Sequence, residues 1–369
     1  MKNLLENIQP MLLMGPGPSC VHPATYHALS RGTLGHLDPY FIKIMDDIKA
    51  NLRTVMGTKN NVTVPLSGTG SSGMEAAFVN LVEKGDKVLV LVNGVFGKRM
   101  VDVAQRLGAE VDELEFEWGT PVLTEKVKAQ LDKKEYDIVS IIHAETSTGV
   151  RNPVDEVGKL INGKALYIVD CVTSLGGIDV SLDKWGADAG YSGTQKCLSC
   201  PPGLAPITFN ERAMAKISGR KTKVPNWYLD MNLLTSYWGG EKRVYHHTAP
   251  VNMMYGLYQS LYLLLEEGLE NAYARHAACH KQLVAGLKDL GMSLLVEESA
   301  RLPMLNAVTV PQGVDEAALR GRLQRDFNIE VGAGLGPLAG KIIRIGLMGH
   351  TARADNVECL LSALKQCLH

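Results

Sequence analysis

Asp170 closes the apolar run Ala165-Leu-Tyr-Ile-Val, and a carboxylate at the end of such a strand is costly to bury unless a cation or strong donors meet it. Downstream, Ser192-Gly-Thr-Gln-Lys196 is a turn of small residues that delivers a lysine just past the next strand. Its neighbours Tyr191, Cys197, Leu198 and Pro201 are mostly apolar. Partial burial among them would lower the ammonium pKa and leave an amine able to attack an aldehyde. Each residue also has an ordinary reading, an Asp that caps the next turn and a lysine that is a solvated surface charge. Together they match one chemistry, because a cofactor carrying an aldehyde and a protonated pyridine nitrogen needs one lysine for the first and one acid for the second.

A phosphate-holding segment lies upstream. Ser67-Gly-Thr-Gly-Ser-Ser-Gly73 falls between a strand and a helix, where free backbone N–H groups and the helix dipole hold anions. It also spells G-x-G-x-x-G. A dinucleotide fold would place an acid at the end of the second strand for the ribose hydroxyls, and Asn93 and Gly94 stand there instead. The segment therefore reads as a phosphate cup.

These residues need a sheet whose carboxyl ends bring them together. Short runs rich in branched residues at Val62–Leu66, Lys87–Val92, Glu110–Leu114, Ile138–His143, Ala165–Asp170, Ala189–Ser192 and Leu204–Phe209 read as strands, each ended by Gly, Asp, Asn or Pro. Helical spacing over Met74–Val82 and Lys98–Leu107, stopped by Gly85 and Gly108, alternates with them. The fold class expected is α/β, with a mostly parallel seven-stranded sheet. A long helical stretch from Met253 to Leu287 breaks near Glu267-Gly268, and beyond it strands at Leu305–Val310 and Lys341–Ile345 and helices at Asp315–Asp326 and Arg353–Cys367 suffice for a small α+β domain. The expected division is an N-terminal arm over 1–20, a large cofactor-binding domain over 21–266 and a small C-terminal domain over 267–369.

The 369 residues carry 38 Lys and Arg against 39 Asp and Glu, a formal charge of −1, so no global basic field attracts a phosphate backbone and nucleic acid is excluded as a partner. No stretch approaches the ~20 continuous apolar residues a membrane span needs. The start lacks the basic and apolar regions of a signal peptide, and seven scattered cysteines suit reduced thiols, so the expected location is the cytoplasm. Cys197-Leu-Ser-Cys200 lacks the second pair of a zinc site, so no metal is expected and both thiols are assigned to packing. His246 and His247, adjacent in an extended segment, are expected to point to opposite faces, one buried and one interfacial.

The segments Gly15-Pro-Gly-Pro, Ser67-Gly-Thr-Gly, His143-Ala-Glu-Thr-Ser-Thr-Gly, Asp170-Cys-Val-Thr-Ser-Leu-Gly-Gly, Ser192-Gly-Thr-Gln-Lys, Tyr245-His-His-Thr and Arg344-Ile-Gly, in this order, resemble class V aminotransferases, in particular the alanine–glyoxylate and serine–pyruvate branch. The resemblance implies a fold-type I homodimer that binds pyridoxal 5'-phosphate at the subunit interface and takes a small amino acid and a 2-oxo acid. It gives Lys196 the Schiff base and Asp170 the pyridine nitrogen. Thr69, Gly70, Ser71 and Gln195 are matched to the phosphate, and Tyr245 and Thr248 to the phosphate of the other subunit. Thr146 falls near the cofactor, Val172 on one ring face, Phe96 where relatives can carry Trp, and Arg344 at the substrate α-carboxylate. Within the family, Gly336-Pro-Leu-Ala-Gly-Lys is also similar to ureidoglycine–glyoxylate aminotransferases, which leaves alanine, serine or ureidoglycine as donor. A lyase of the same fold, such as a cysteine desulfurase, would need a catalytic cysteine in a mobile loop. A regulatory domain without catalysis would need a fused DNA-binding module, for which the segment before Met14 is too short.

Overall fold

Seven runs of branched residues pair into one sheet in the computed structural model, which describes residues 3–239 and 243–368. The strands are β1 (Val62–Ser67), β2 (Lys87–Val92), β3 (Glu110–Glu115), β4 (Ile138–Ile142), β5 (Leu166–Asp170), β6 (Ala189–Tyr191) and β7 (Leu204–Phe209), in the spatial order β1-β7-β6-β5-β4-β2-β3. All neighbours are parallel except β7, which runs antiparallel to both β1 and β6. Strand β4 is buried at every residue, as a parallel strand covered on both faces must be, and its run Ile-Val-Ser-Ile-Ile shows no alternation for that reason.

Helices α1 (Pro39–Met56), α2 (Gly70–Leu81) and α3 (Val95–Arg106) lie in this part of the chain. The ends of α1 follow from local chemistry. Asp38 accepts from the Tyr40 N–H at 2.8 Å, Pro39 sits at the first helical position, and Gly57 stops the helix at φ 58°. Helix α2 starts four residues earlier than the apolar spacing indicates, because Gly70, Ser71, Ser72 and Gly73 supply a first turn that periodicity does not register.

The long C-terminal helical stretch is two helices, α4 (Val251–Glu267) and α5 (Leu269–Asp289), separated by Gly268 at φ 86°. Arg275 pairs with Glu267 through two nitrogens, at 2.6 and 2.8 Å, and donates to the carbonyls of Gly349 and Ala352. That fork ties the joint to the chain's last elements. Strands β8 (Ser293–Leu294), β9 (Leu305–Thr309), β10 (Gly332–Ala333) and β11 (Ile342–Gly346) form an antiparallel sheet in the order β8-β9-β11-β10, packed with α5, α6 (Glu316–Phe327) and α7 (Ala354–Leu368) around a second core that includes Leu283, Val308, Leu323, Ile343 and Leu360. Met14 is fully buried in that same core, and Leu12–Leu13 pairs in parallel with Ile329–Glu330. The chain then passes from Met14 to Ser19 against the turn that carries Lys196, with Gly346 N–H donating to the Met14 carbonyl at 2.7 Å and Ser19 Oγ to the Lys196 carbonyl at 2.7 Å.

Candidate active site

Because side chains alternate along a strand, Ile142 at the end of β4 and Asp170 at the end of β5 face one cavity of about 170 Å³. The cavity is also lined by Gly70, Ser71 and Met74 from the start of α2, Phe96 and Arg99 from α3, Ala144 and Thr146 after β4, Val172, Tyr191, Gln195 and Lys196. A larger groove of about 850 Å³ lies elsewhere, between the helix Pro23–Leu29, α1 and α4, and its lining has no acid to set against a base. The smaller cavity has both an acid and an amine in its wall, Asp170 and Lys196.

Asp170 is buried, and one carboxylate oxygen accepts from the Val172 N–H at 2.8 Å. Burial pushes its pKa up to about 7. The Tyr191 hydroxyl stands close enough to oppose that rise yet lies outside hydrogen-bond geometry to any partner. Lys196 is buried too, with Nζ donating to the Pro16 carbonyl, and burial followed by the nearby Arg344 charge brings its pKa down to about 8. An acid raised and an amine lowered beside one cavity are each short of an opposite charge. Gly17, at φ 105°, lets the N-terminal strap close over the lysine, since a Cβ there would stand 2.7 Å from Lys196 Cδ.

The phosphate-cup residues divide. Gly70 and Ser71 line the cavity at the N-terminus of α2, while Thr69 is exposed at the N-cap and makes no side-chain cap bond; the Ser72 N–H donates to the Thr69 carbonyl at 2.7 Å, so the N–H groups of Gly70 and Ser71 are the ones left for an anion. The Gln195 side chain lines the cavity with its Oε1 buried and without a partner. Thr146 and Val172 line it as well, and the Thr146 hydroxyl bonds that of Thr173. Arg344, on β11, is buried behind Thr146. Its Nε donates to the Ala333 carbonyl at 2.7 Å and Nη1 to the Thr146 carbonyl at 3.2 Å, and burial lowers its pKa to about 10.

Tyr245 and Thr248 do not reach this chain's cavity. Tyr245 is 56% exposed and packs on His36, and Thr248 is exposed. The adjacent histidines depart from the expected opposite faces. The segment is an unpaired loop rather than a strand, and it folds the two rings together, with Nδ1 to Nδ1 at 2.9 Å. His246 stacks on Trp227 at 4.3 Å, and His247 Nε2 meets Ser67 Oγ at 2.7 Å. Cys197 and Cys200 are both buried, and burial pushes each thiol up to about 12.

Arg99, Tyr191 and Glu145 were not singled out by sequence reasoning as site residues. Arg99 has a readable signal, since it lies three residues beyond Phe96 on one helical face and its guanidinium rests 4.8 Å from the Phe96 ring. Glu145 has none, because only tertiary packing brings it beneath α3.

Residues 23–360 match the family model for class-V aminotransferases. The chain is 41% identical to an alanine–glyoxylate aminotransferase of Callithrix jacchus over 98% of its own length and 88% of the relative's. It is 38% identical to an (S)-ureidoglycine–glyoxylate transaminase of Bacillus subtilis over 96% and 90%. The crystal structure of an alanine–glyoxylate aminotransferase from Nostoc superposes with a TM-score of 0.96 at 47% identity, covering all of both chains. With a fold-type I sheet, a lysine and an acid at one cavity, and these similarities over almost all its length, the chain belongs to the class-V aminotransferase family.

Proposed function

We propose that this aminotransferase uses pyridoxal 5'-phosphate to move the amino group of a small amino acid, alanine or serine, to a 2-oxo acid such as glyoxylate or pyruvate, and that it does so as a homodimer in the cytoplasm. The observation that carries the reading is the placing of Lys196 and Asp170 in one cavity, with pKa values brought toward each other by burial.

The residues fit the cofactor. A protonated ring nitrogen is the cation Asp170 lacks, the start of α2 offers N–H groups for a phosphate, and the partnerless amide of Gln195 can turn its nitrogen toward the same anion. When bound, the cofactor supplies an aldehyde that takes up the amino group and a ring that accepts electrons released when the Cα proton leaves. Lys196 would hold the cofactor, and its free amine would take the substrate Cα proton and give it back. A pKa near 8 suits both roles better than the ordinary 10.5, because about a tenth of the amine is then unprotonated at pH 7 and the share grows as pH rises. Asp170 would face the ring nitrogen and favour its protonated form. Phe96 and Val172 confine the ring, and Arg344 offers the planar fork that orients an α-carboxylate.

A ureidoglycine donor remains a second reading, favoured by the Bacillus subtilis relative and by its crystal structure, which superposes with a TM-score of 0.96. Borohydride reduction of the protein with bound cofactor, followed by peptide mapping, should place the adduct on Lys196; an adduct on another lysine overturns the assignment. Alanine, serine and ureidoglycine, each supplied with glyoxylate, then separate the donors by their turnover.

A further inference from the structure

Helix α3 carries Phe96 and Arg99 into the cavity wall, yet its N-cap is Gly94, which has no side chain to satisfy the helix's first N–H groups. A different part of the chain occupies that place. Glu145, fully buried, lies where a Cβ on Gly94 would point, with its Cγ and Cδ 2.4 Å from that position and Ser147 Oγ equally near. Ser147 Oγ accepts from the Val95 N–H at 3.0 Å and donates to Glu145 Oε1 at 2.6 Å, and the Ser147 N–H reaches the same oxygen at 3.0 Å. The N–H groups of Phe96 and Gly97 lie close enough to favour the carboxylate against the burial that raises its pKa, although Oε2 has no partner within hydrogen-bond geometry. Between the two capping residues, Thr146 lines the cavity and holds Arg344 through its carbonyl.

We propose that Glu145, acting with Ser147, is a positioning residue that caps α3 from outside the helix and thereby fixes Phe96 against the cofactor. Gly94 is the complement of this cap, because a side chain at 94 would fill the space Glu145 needs. The acid expected at the end of the second strand in a dinucleotide fold is thus replaced by a carboxylate delivered from the hairpin that follows the neighbouring strand β4, and it faces helix N–H groups instead of ligand hydroxyls. The proposal rests on the pyridoxal-phosphate reading and adds a residue that need not touch the cofactor.

The test is a double-mutant cycle read by cofactor dissociation constant, cofactor circular dichroism and melting temperature. Glu145→Ala should weaken pyridoxal phosphate about fivefold, the size of an ordinary cap, and dampen the cofactor's dichroic band. In a Phe96→Ala background the same change should alter affinity by less than about twofold, because its effect passes through the ring. Glu145→Gln, which keeps an acceptor, should restore affinity to within about twofold of the parent. Ser147→Ala is the milder companion should Glu145→Ala fail to fold, and it should reproduce the loss and its dependence on Phe96. Losses that multiply in the double variant, or a lowered melting temperature with unchanged affinity, overturn the positioning role while leaving the cofactor reading intact. Parent protein that binds no pyridoxal phosphate overturns both.

Discussion

Asp170 and Lys196 are both held where their charged forms are disfavoured, and the consequences for stability have opposite signs. Asp170 rises from 3.8 to about 7, so between those values the folded state binds more protons than the unfolded one, and its contribution to stability is lost as pH climbs. Lys196 falls from 10.5 to about 8, so the unfolded state binds more protons in that window and stability is regained as pH climbs through it. In cofactor-free protein, Asp170→Asn should flatten the fall in melting temperature between about pH 4 and pH 7 relative to the parent, while cutting turnover of the loaded enzyme steeply. Equal pH dependence in parent and variant, or near-normal turnover, rules out the role given to this carboxyl. Arg344 is read by kinetics instead. Arg344→Lys keeps charge but not the fork, so kcat/KM for amino and 2-oxo acids together should fall by about tenfold or more with cofactor affinity kept. Unchanged kcat/KM would send the search for the carboxylate site elsewhere.

Helix α2 brings Gly70, Ser71 and Met74 to the cavity, and its position depends on one close approach. A Cβ on Gly73 would meet Tyr191 Cβ at 3.2 Å and Ala205 Cβ at 3.3 Å, so the helix lies nearly on the sheet over β6 and β7. Gly73→Leu should destabilise the protein by about 1 to 3 kcal/mol through overpacking. It should also weaken inorganic phosphate and pyridoxal phosphate together, since lifting α2 moves the N-terminal N–H groups away from the cavity. Thermal melts and phosphate competition check this, and a stability loss with intact phosphate affinity would detach the anion site from α2. A second element-scale feature is the strap from Met14 to Ser19, which joins the second core to the lysine turn and puts the Pro16 carbonyl on Lys196 Nζ.

At the scale of the molecule, the exposure of Tyr245 and Thr248 outside this chain's cavity is what the proposed dimer explains, because residues that serve a partner's phosphate must face outward. Subunit mixing tests it. Lys196→Ala and Thr248→Ala variants, each of low activity alone, should regain about a quarter of parental activity when unfolded and refolded as a 1:1 mixture, since half the dimers are mixed and each holds one intact site. No recovery, with mixed dimers shown by native mass spectrometry, would place Thr248 in its own subunit's site.

The strands, their order along the chain and the Lys196 and Asp170 pair were legible in the sequence because each is a local signal: a continuous apolar run, a turn of small residues, or a polar residue ending an apolar strand. Strand ends differed by a residue or two, and α2 began earlier, because Gly and Ser in a first turn leave no apolar period. The contact between the His246 and His247 rings departs from the expected opposite faces, since alternation of faces applies to paired strands and this segment is a loop. What the tertiary structure alone decided are contacts between residues far apart in the chain: Arg344 on the Thr146 carbonyl, Pro16 on Lys196, and Glu145 beneath Gly94. Local pattern reports which face of an element is apolar, whereas the partner that a buried charge finds is set by how two elements pack, and no periodicity encodes that.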